Sequence, residues 1–520
     1  MPDTYYTKIM WAMACVFVIK SLFLAFYVTP LWDIPDEIGH YSYVSDIANG
    51  KGIPLLGQAK LDEEALRSFY RNCESTNKGC ESIGKSNWIA QHPPIYHIIA
   101  SVPLKISMMF TKNKNFLFRS TRITSAICLG FFFICTYYTM VAINLKKINS
   151  LFLASSICFI PMISNLSSGN NHDIMLLLFA STTAYFLIIY IHNGKPKFIY
   201  LSAFFTTLSS GIKITFWVII PILLLIYSIE ILKKKKTNKK ILIYTMAIAI
   251  SIPMLVICRN IYNFNTPIFT SINLSELTTK SNISLLDYIH TYPIFDILIQ
   301  HFYGLFGWMG NGWGEVKLLV TSGSPLIFFS FLLLFTSLLL TISSLSLSNK
   351  FYNENFTIQK KTQFLNKNYT RKLTIAIGII IAFTLSYIIC FTNYSTGTLP
   401  ERVRLCAVFF TLFSGLNSIF ISFYTKGYID RISIYNKIIF LFFSLILINK
   451  LHDIYQMRGE LGAMHGRYFY AILPFLLIDI GFIIKKFNIP SSALLIITFI
   501  LSYMELISFT TQVIPFYEIR

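Results

Sequence analysis

The chain is 520 residues long, 54% hydrophobic, 16% aromatic and only 13% charged, with a mean hydropathy of +0.58. Apolar runs long enough to cross a hydrocarbon core recur almost to its end, which excludes a soluble or disordered chain and implies an all-α polytopic membrane protein, one integral domain over residues 1–520. The net charge of +20 does not point to nucleic acid, because much of the excess sits in short loops such as Lys233-Lys234-Lys235-Lys236, where cations set orientation and meet anionic lipid head groups.

The first apolar run, Ile9 to Pro30, is about 22 residues long and lacks a small-residue cleavage site, so it is expected to stay as a spanning helix and not to be removed as a signal peptide. Just past it lies Pro35-Asp36-Glu37-Ile38-Gly39-His40-Tyr41. Adjacent carboxylates and an imidazole at a membrane surface cost desolvation and mutual repulsion, which a mere anchor has no reason to bear. They read as chemistry, with a simple loop cap as the blander alternative.

Further spans are predicted near 122–145, 150–168, 173–192, 198–212, 214–232, 240–260, 324–346, 373–393, 403–424, 436–454, 468–485 and 490–511, about thirteen in all. The run Ile95–Phe110 carries His97 and Lys105, and counting it as a span would throw the basic loops Lys146-Lys147, Lys195-Pro196-Lys197 and Lys233–Lys240 to the wrong side. It is therefore predicted to be an interfacial helix. The first outer loop then covers 31–121. A second covers 261–323 and contains the aromatic Tyr303-Gly304-Leu305-Phe306-Gly307-Trp308. With the N-terminus inside, every basic loop is cytoplasmic and the C-terminus is outside.

On this topology the polar residues hardest to explain as packing share one face. They are Asp36, Glu37 and His40, then His92-Pro93-Pro94, Arg119 and Arg122, Asn170-Asn171-His172-Asp173, Lys213, Arg259-Asn260, Arg402 and Arg404, and His465-Gly466-Arg467-Tyr468. Cations gathered opposite carboxylates imply an anionic ligand beside a general base, and a lipid-linked phosphate suits that description. Each residue also has a structural alternative. His92 and its prolines could shape a helix start, Asp173 could cap one, Lys213 and Arg467 could snorkel, and Arg402 and Arg404 could meet head groups. His301, with Tyr303, Trp308 and Trp313, could form an interfacial belt as well as a sugar platform. Cys73 and Cys80 lie in the polar part of the first outer loop, where an oxidising periplasm favours a local disulfide; no Cys-x-x-Cys metal motif is present.

An Asp-Glu pair with a nearby His after the first span, then His-Pro-Pro, an Arg opening the second span and an acid after the third resemble the GT-C superfamily of polyprenyl-phosphate-sugar-dependent glycosyltransferases. That superfamily includes protein O-mannosyltransferases, the aminoarabinose transferase of lipid A and the serotype-converting glucosyltransferases of O-antigen. His465-Gly466-Arg467-Tyr468-Phe469-Tyr470 is similar to the Gly-Arg-Tyr-Phe signature of a bacterial branch. The resemblance implies that Asp36 is the general base on the acceptor hydroxyl, with Glu37 positional and paired with Arg122, and that Asp173 is the second acidic motif. It places Lys213 and Arg467 on the donor phosphate, with Arg122 and Arg119 as further cations. His92, Asn170, His301, Trp308, Arg404, His465 and Tyr468 are the candidate substrate contacts.

Two departures stand out: the spacing Asp-Glu-x-x-His in place of Asp-Glu-x-His, which leaves the role of His40 open, and a lone acid in Asn-His-Asp, which argues against a required metal. The expected reaction is inverting transfer of a hexose, glucose by preference, from a polyprenyl-phosphate carrier to a hydroxyl of an extracytoplasmic glycan such as O-antigen. No further cofactor is expected. Membrane lipids, the lipid-linked donor and the glycan acceptor are the expected partners, and a donor-making synthase and a flippase would supply the substrate. The expected location is a bacterial inner membrane, with the site facing the periplasm. An O-antigen polymerase or ligase and a lipid-linked sugar flippase are the competing readings, the latter requiring ionisable residues near the bilayer midplane.

Overall fold

A computed structural model describes residues 3–74, 83–234, 239–268, 270, 282–292, 294–306, 316–317, 384, 428–459 and 465–518. Within these residues the chain is helical apart from one antiparallel pairing of Leu305–Phe306 with Val316–Lys317 and an isolated bridge between Lys60 and Ser86. Helix α1 (Asp3–Phe23) runs on through a π-turn, Leu24–Val28. Helices α2 (Glu37–Ala48), α3 (Glu63–Glu74), α4 (Ile95–Phe110) and α5 (Lys114–Ser120) precede α6 (Ile123–Ala142). Next come α7 (Lys147–Cys158), α8 (Pro161–Ser167), α9 (Asp173–Asn193), α10 (Pro196–Ser210), α11 (Ile220–Leu232) entered through a 3-10 turn at Ile214–Ile219, and α12 (Lys239–Phe264). The remaining described helices are α13 (Leu285–Thr291), α14 (Ile294–Tyr303), α15 (Tyr428–Arg458), α16 (Leu473–Lys486), α17 (Ser491–Ser508) and α18 (Ile514–Glu518).

Among the described residues, seven helical stretches are long and apolar enough to cross a membrane, or eight if the bent pair α7–α8 is one span. The expected spans 324–346, 373–393 and 403–424 lie outside the described residues. Two helices at expected spans are short: α10 has the 15 residues expected of it and α16 has 14 in place of the expected 18, about 22 and 21 Å of helix against a core of about 30 Å. The predicted run Ile95–Phe110 is helical from end to end. It buries Tyr96, His97, Ala100 and Leu104 and exposes Val102, Ile106, Met109 and Phe110.

Helix α9 is the axis of the bundle. Its sides pack on α6, α10 and α16, while α6 also meets α1 and α7. Leu129, Phe132 and Phe133 of α6 and Ile174, Leu177, Ala180 and Ala184 of α9 are buried in this seam. At 21 residues, α9 separates its two ends by about 31 Å. The C-terminal end meets a basic loop, Lys234 Nζ donating to the Ile191 carbonyl (3.4 Å), and Lys485 Nζ donates to the Ile143 carbonyl at the end of α6 (3.1 Å). The N-terminal end, at Asp173, carries the polar residues described below.

The expected continuous span at 150–168 is instead broken, α7 and α8 meeting at 72°. Pro161 opens α8, and Ile160 before it is extended (φ −67°, ψ 121°), as a residue preceding proline prefers. A break inside a bundle leaves helix-end carbonyls unpaired. Lys20 of α1 answers this by donating to the Cys158 carbonyl (3.1 Å), Ser164 Oγ (2.9 Å) and Glu505 Oε1 of α17 (2.8 Å). Ser164 also donates to Glu505. Replacing Lys20 by Met should leave Glu505 buried without its counterion and cost about 3–5 kcal/mol. Lys20→Met combined with Glu505→Met should recover most of that in a thermal unfolding assay in detergent; a double variant as unstable as the single one would show that the ion pair is not what holds the break.

Candidate active site

Arg122, at the start of α6, is fully buried. Its Nε and Nη2 donate to the two carboxylate oxygens of Glu37 (2.7 and 2.8 Å), while Nη1 and Nη2 reach the carbonyls of Ala25 (2.7 Å), Thr29 (2.9 Å) and Pro30 (2.6 Å). These use all of the donors a guanidinium owns. Glu37 in turn accepts from the backbone N–H groups of Trp32 (2.9 Å) and Asn170 (3.0 Å). Arg119 Nη1 donates to the same carbonyls, Ala25 (2.5 Å) and Thr29 (2.9 Å). The expected pairing of Glu37 with Arg122 is therefore present. All five Arg122 donors are engaged within the protein, and Arg119 also turns to the end of α1.

Asp36 precedes α2 in the left-handed region (φ 65°), a conformation that costs a residue with a Cβ and that short polar side chains tolerate best. Its carboxylate does not cap the helix. It accepts from Trp88 Nε1 (2.9 Å) and from Arg467 Nη2 (3.1 Å). Asn87 sets Trp88 in place, accepting from the Ile89 N–H (3.0 Å) and donating to the Gly39 carbonyl (3.0 Å). Burial pushes the Asp36 carboxyl up, but Arg467, the Trp88 N–H and Lys213 outweigh it and hold the group below its ordinary 3.8.

Asp173 opens α9, where the helix dipole favours a carboxylate. It does not act as an N-cap, since His172 holds that position. Asp173 Oδ1 accepts from Lys213 Nζ (2.5 Å), and Oδ2 lies 3.6 Å from Arg467 Nε. Lys213 projects from an extended residue (φ −147°, ψ 134°) between α10 and the 3-10 turn, with its ammonium 4.9 Å from the centre of the Tyr468 ring. Burial pulls the Lys213 ammonium below its ordinary value, and Asp173 only partly offsets this. Arg467 arrives on a 3-10 turn, Gly466–Ala471. A Cβ at Gly466 would collide with the Leu298 carbonyl oxygen, so only glycine lets this turn lie against α14. The result is one connected set of alternating charge: Asp36, Arg467, Asp173, Lys213.

Four imidazoles stand beside it. His92 and His172 rings are 4.7 Å apart, His172 and His40 4.5 Å, and His40 and His97 5.3 Å, each measured between centroids. His40 Nδ1 and His97 Nε2 are within hydrogen-bond distance (3.0 Å), and Tyr43 stacks on His97 at 3.8 Å. Burial holds His40, His97 and His172 well below 6.5 and pushes His92 down to about 3. No group of three or more His, Cys, Asp or Glu among the described residues is arranged to hold a metal ion.

Of the candidates read from the sequence, Asp36, Glu37, His40, His92, Asn170, Asp173, Lys213, His465, Arg467 and Tyr468 come together. His301 on α14 reaches His465, Nδ1 to Nδ1, at 3.2 Å. Trp308, Trp313, Arg402, Arg404 and Cys80 lie outside the described residues. Arg259 donates to the Pro54 carbonyl (2.7 Å) and holds a loop. Sequence reasoning missed Trp88, Tyr96 and His97, and left His172 as part of a turn. Tyr96 donates to Asn170 Oδ1 (2.6 Å). The signal for His97 was an imidazole in an apolar run, which reads equally as packing.

Residues 91–257 match the family model of dolichyl-phosphate-mannose-protein mannosyltransferases. This stretch carries His92, Arg122, Asp173 and Lys213, and it bears out the resemblance to GT-C glycosyltransferases that use a polyprenyl-phosphate-linked sugar. No curated protein matches the chain. Among solved structures, ArnT from Cupriavidus metallidurans bound to undecaprenyl phosphate is similar at 12% identity with a TM-score of 0.38, over 93% of this chain and 79% of that one. The same protein in the apo state gives 11% identity and a TM-score of 0.34, over 92% and 77%.

The buried histidines make stability depend on pH. Because His40, His97 and His172 hold fewer protons folded than unfolded, stability is full above their unfolded value of 6.5 and declines as pH falls below it, by up to about 1.4 kcal/mol per pH unit for each ring. Thermal unfolding of the detergent-solubilised protein should therefore shift down between pH 6.5 and pH 5. His97→Gln, which keeps a partner for His40 and removes one titrating ring, should flatten the slope. An unchanged slope would show that His97 does not titrate on unfolding.

Proposed function

We propose that this chain transfers a hexose, glucose by preference, from a polyprenyl-phosphate carrier to a hydroxyl of an extracytoplasmic glycan such as an O-antigen, with inversion at the anomeric carbon. The observation that carries this reading is the direct contact between the carboxylate suited to be the base and the cation suited to hold the phosphate, Asp36 Oδ2 to Arg467 Nη2 at 3.1 Å. The acceptor hydroxyl gives its proton to Asp36 as its oxygen attacks the anomeric carbon. The bond to the phosphate oxygen breaks, and the electron pair leaves with the phosphate. Lys213 and Arg467 meet the charge that develops there. Glu37 touches neither partner in this scheme; with Arg122 it fixes the segment that presents Asp36.

The geometry supports an order of events. Arg467 is shared between Asp36 and Asp173. A phosphate competes for that guanidinium, and its arrival frees Asp36 to face the acceptor. Donor therefore binds first. Among the described residues, buried acids elsewhere in the bundle support a transferase over a flippase, since Glu505 is held by Lys20, Glu230 by Arg431 and Tyr435, and Asp479 by Asn436, each locally and apart from the others.

Donor binding and base chemistry should separate by mutation. Asp36→Asn should lower turnover by about 10²–10⁴-fold while binding the polyprenyl-phosphate sugar at least as well as the parent, because it removes a competitor for Arg467. Lys213→Met should weaken donor binding by about 10- to 150-fold, the equivalent of one charge-assisted contact. A lipid-binding assay on the purified variants decides between roles; if Asp36→Asn fails to bind donor while Lys213→Met binds normally, the two halves of the site are assigned the wrong way round.

The same proposal places the site on the periplasmic face of a bacterial inner membrane, with α4 lying at the interface and the basic end of α9 in the cytoplasm. An impermeant thiol reagent on whole cells should label a cysteine introduced at Lys51 and spare one at Lys195; the reverse pattern would invert the topology.

A further inference from the structure

Several polar atoms beside the charged set have no hydrogen-bond partner among the described residues. They are His92 Nδ1, His40 Nε2, both ring nitrogens of His172 and Asn170 Nδ2, and each is buried. His40 and His172 are 0% and 3% exposed as whole residues. Buried nitrogens of this kind are costly to leave unpaired, and native structures carry few of them. Here they belong to three separate elements, the start of α2, the turn before α4 and the turn before α9, yet the ring contacts of 4.5 and 4.7 Å make them contiguous. They also adjoin the proposed phosphate cations, since His172 Nε2 lies 3.5 Å from the same Asp173 oxygen that accepts from Lys213.

We propose that His92, His172 and the Nε2 edge of His40, with the Asn170 amide, form the subsite that reads the hydroxyls of an uncharged donor sugar. This rests on the reading of the site as a polyprenyl-phosphate transferase and adds to it the chemistry of the transferred group. A neutral imidazole offers one donor and one acceptor, which is the complement of a sugar hydroxyl. Burial and the neighbouring Lys213 keep the His172 ring in that neutral form. A sugar bearing an ammonium group would need an uncommitted carboxylate. Of the acids at hand, Asp173 stays engaged by Lys213 and Asp36, once a phosphate draws Arg467 from it, faces the acceptor hydroxyl, while the charges of Lys213 and Arg467 would repel an ammonium group. The subsite thus selects for hydroxyls and against amines.

The test compares carrier with and without its sugar. The full-length protein in nanodiscs is titrated with polyprenyl phosphate, with polyprenyl-phosphate glucose, and with the same carrier bearing a 4-amino-4-deoxy sugar. The parent should bind the glucosyl donor more tightly than the bare carrier, and the amino sugar no more tightly than the bare carrier. His172→Asn and His92→Asn should each weaken the glucosyl donor by about 2- to 13-fold and leave bare carrier binding unchanged, which also shows that the variants are folded. Equal weakening of both ligands, or of neither, overturns the subsite. Tight binding of the amino sugar overturns the selection for an uncharged one. If the parent itself does not bind bare polyprenyl phosphate, the transferase reading falls first, and the subsite with it.

Discussion

The saturated guanidinium of Arg122 is the constraint on which the site depends. It gathers three things that are distant in sequence: the end of α1, through the carbonyls of Ala25, Thr29 and Pro30; the start of α2, through Glu37; and, through Glu37, the backbone of Asn170 before α9. A π-turn at Leu24–Val28 and the bend into Thr29 leave carbonyls at the end of α1 that need donors. Arg122, joined by Arg119, supplies them, and Arg122 spends its two remaining N–H groups on one carboxylate. Burying such a pair is tolerable only when every lone pair and proton is used, and here every one is. The position of Asp36 follows, since it is the residue between this anchored turn and the first turn of α2.

The alternating set of Asp36, Arg467, Asp173 and Lys213 is electrically balanced without a ligand, and that balance has a consequence for how a phosphate enters. Two carboxylates next to an incoming anion would repel it if the cations were committed elsewhere. Arg467 touches both acids and Lys213 touches one, so under the proposed function a phosphate does not add to the network but exchanges into it. Interactions of this kind are strong because the site is buried and the dielectric is low. In that proposal the side chain that exchanges is Arg467, so its approach on the Gly466 turn, packed against α14 with no room for a Cβ, matters as much as its charge.

Much of this was legible in the sequence where the signal is local. The Asp36-Glu37 pair stood out because charges beside an apolar run are expensive, and Lys213 and Arg467 stood out as cations at helix ends. The expected pairing of Glu37 with Arg122 is in the structure, and Asp36 faces a different cation, Arg467. Roles that depend on who sits opposite were not legible. Arg122 had the credentials of a phosphate ligand until the carbonyls of α1 appeared around it. His97 is one residue of an apolar helix and becomes notable only because α2 brings His40 to 3.0 Å from it. The break at Pro161 was hidden for a different reason: hydropathy measures the whole run from 150 to 168 and is blind to a bend that Lys20, far away in the chain, makes affordable.

The two acids also show how neighbouring residues of like charge avoid each other. Glu37 is one residue into α2 and 2% exposed, bonded to Arg122, Trp32 and Asn170, whereas Asp36 stands in the left-handed region outside the helix and faces Trp88 and Arg467. Each carboxylate has its own guanidinium, one locked and one shared. Had both acids drawn on the same arginine, ionising one would raise the cost of ionising the other, and the pair would hold a proton between them. Separate counterions remove that coupling. Glu37 is thereby fixed by Arg122, and in the proposed reaction Asp36 alone takes up the acceptor proton.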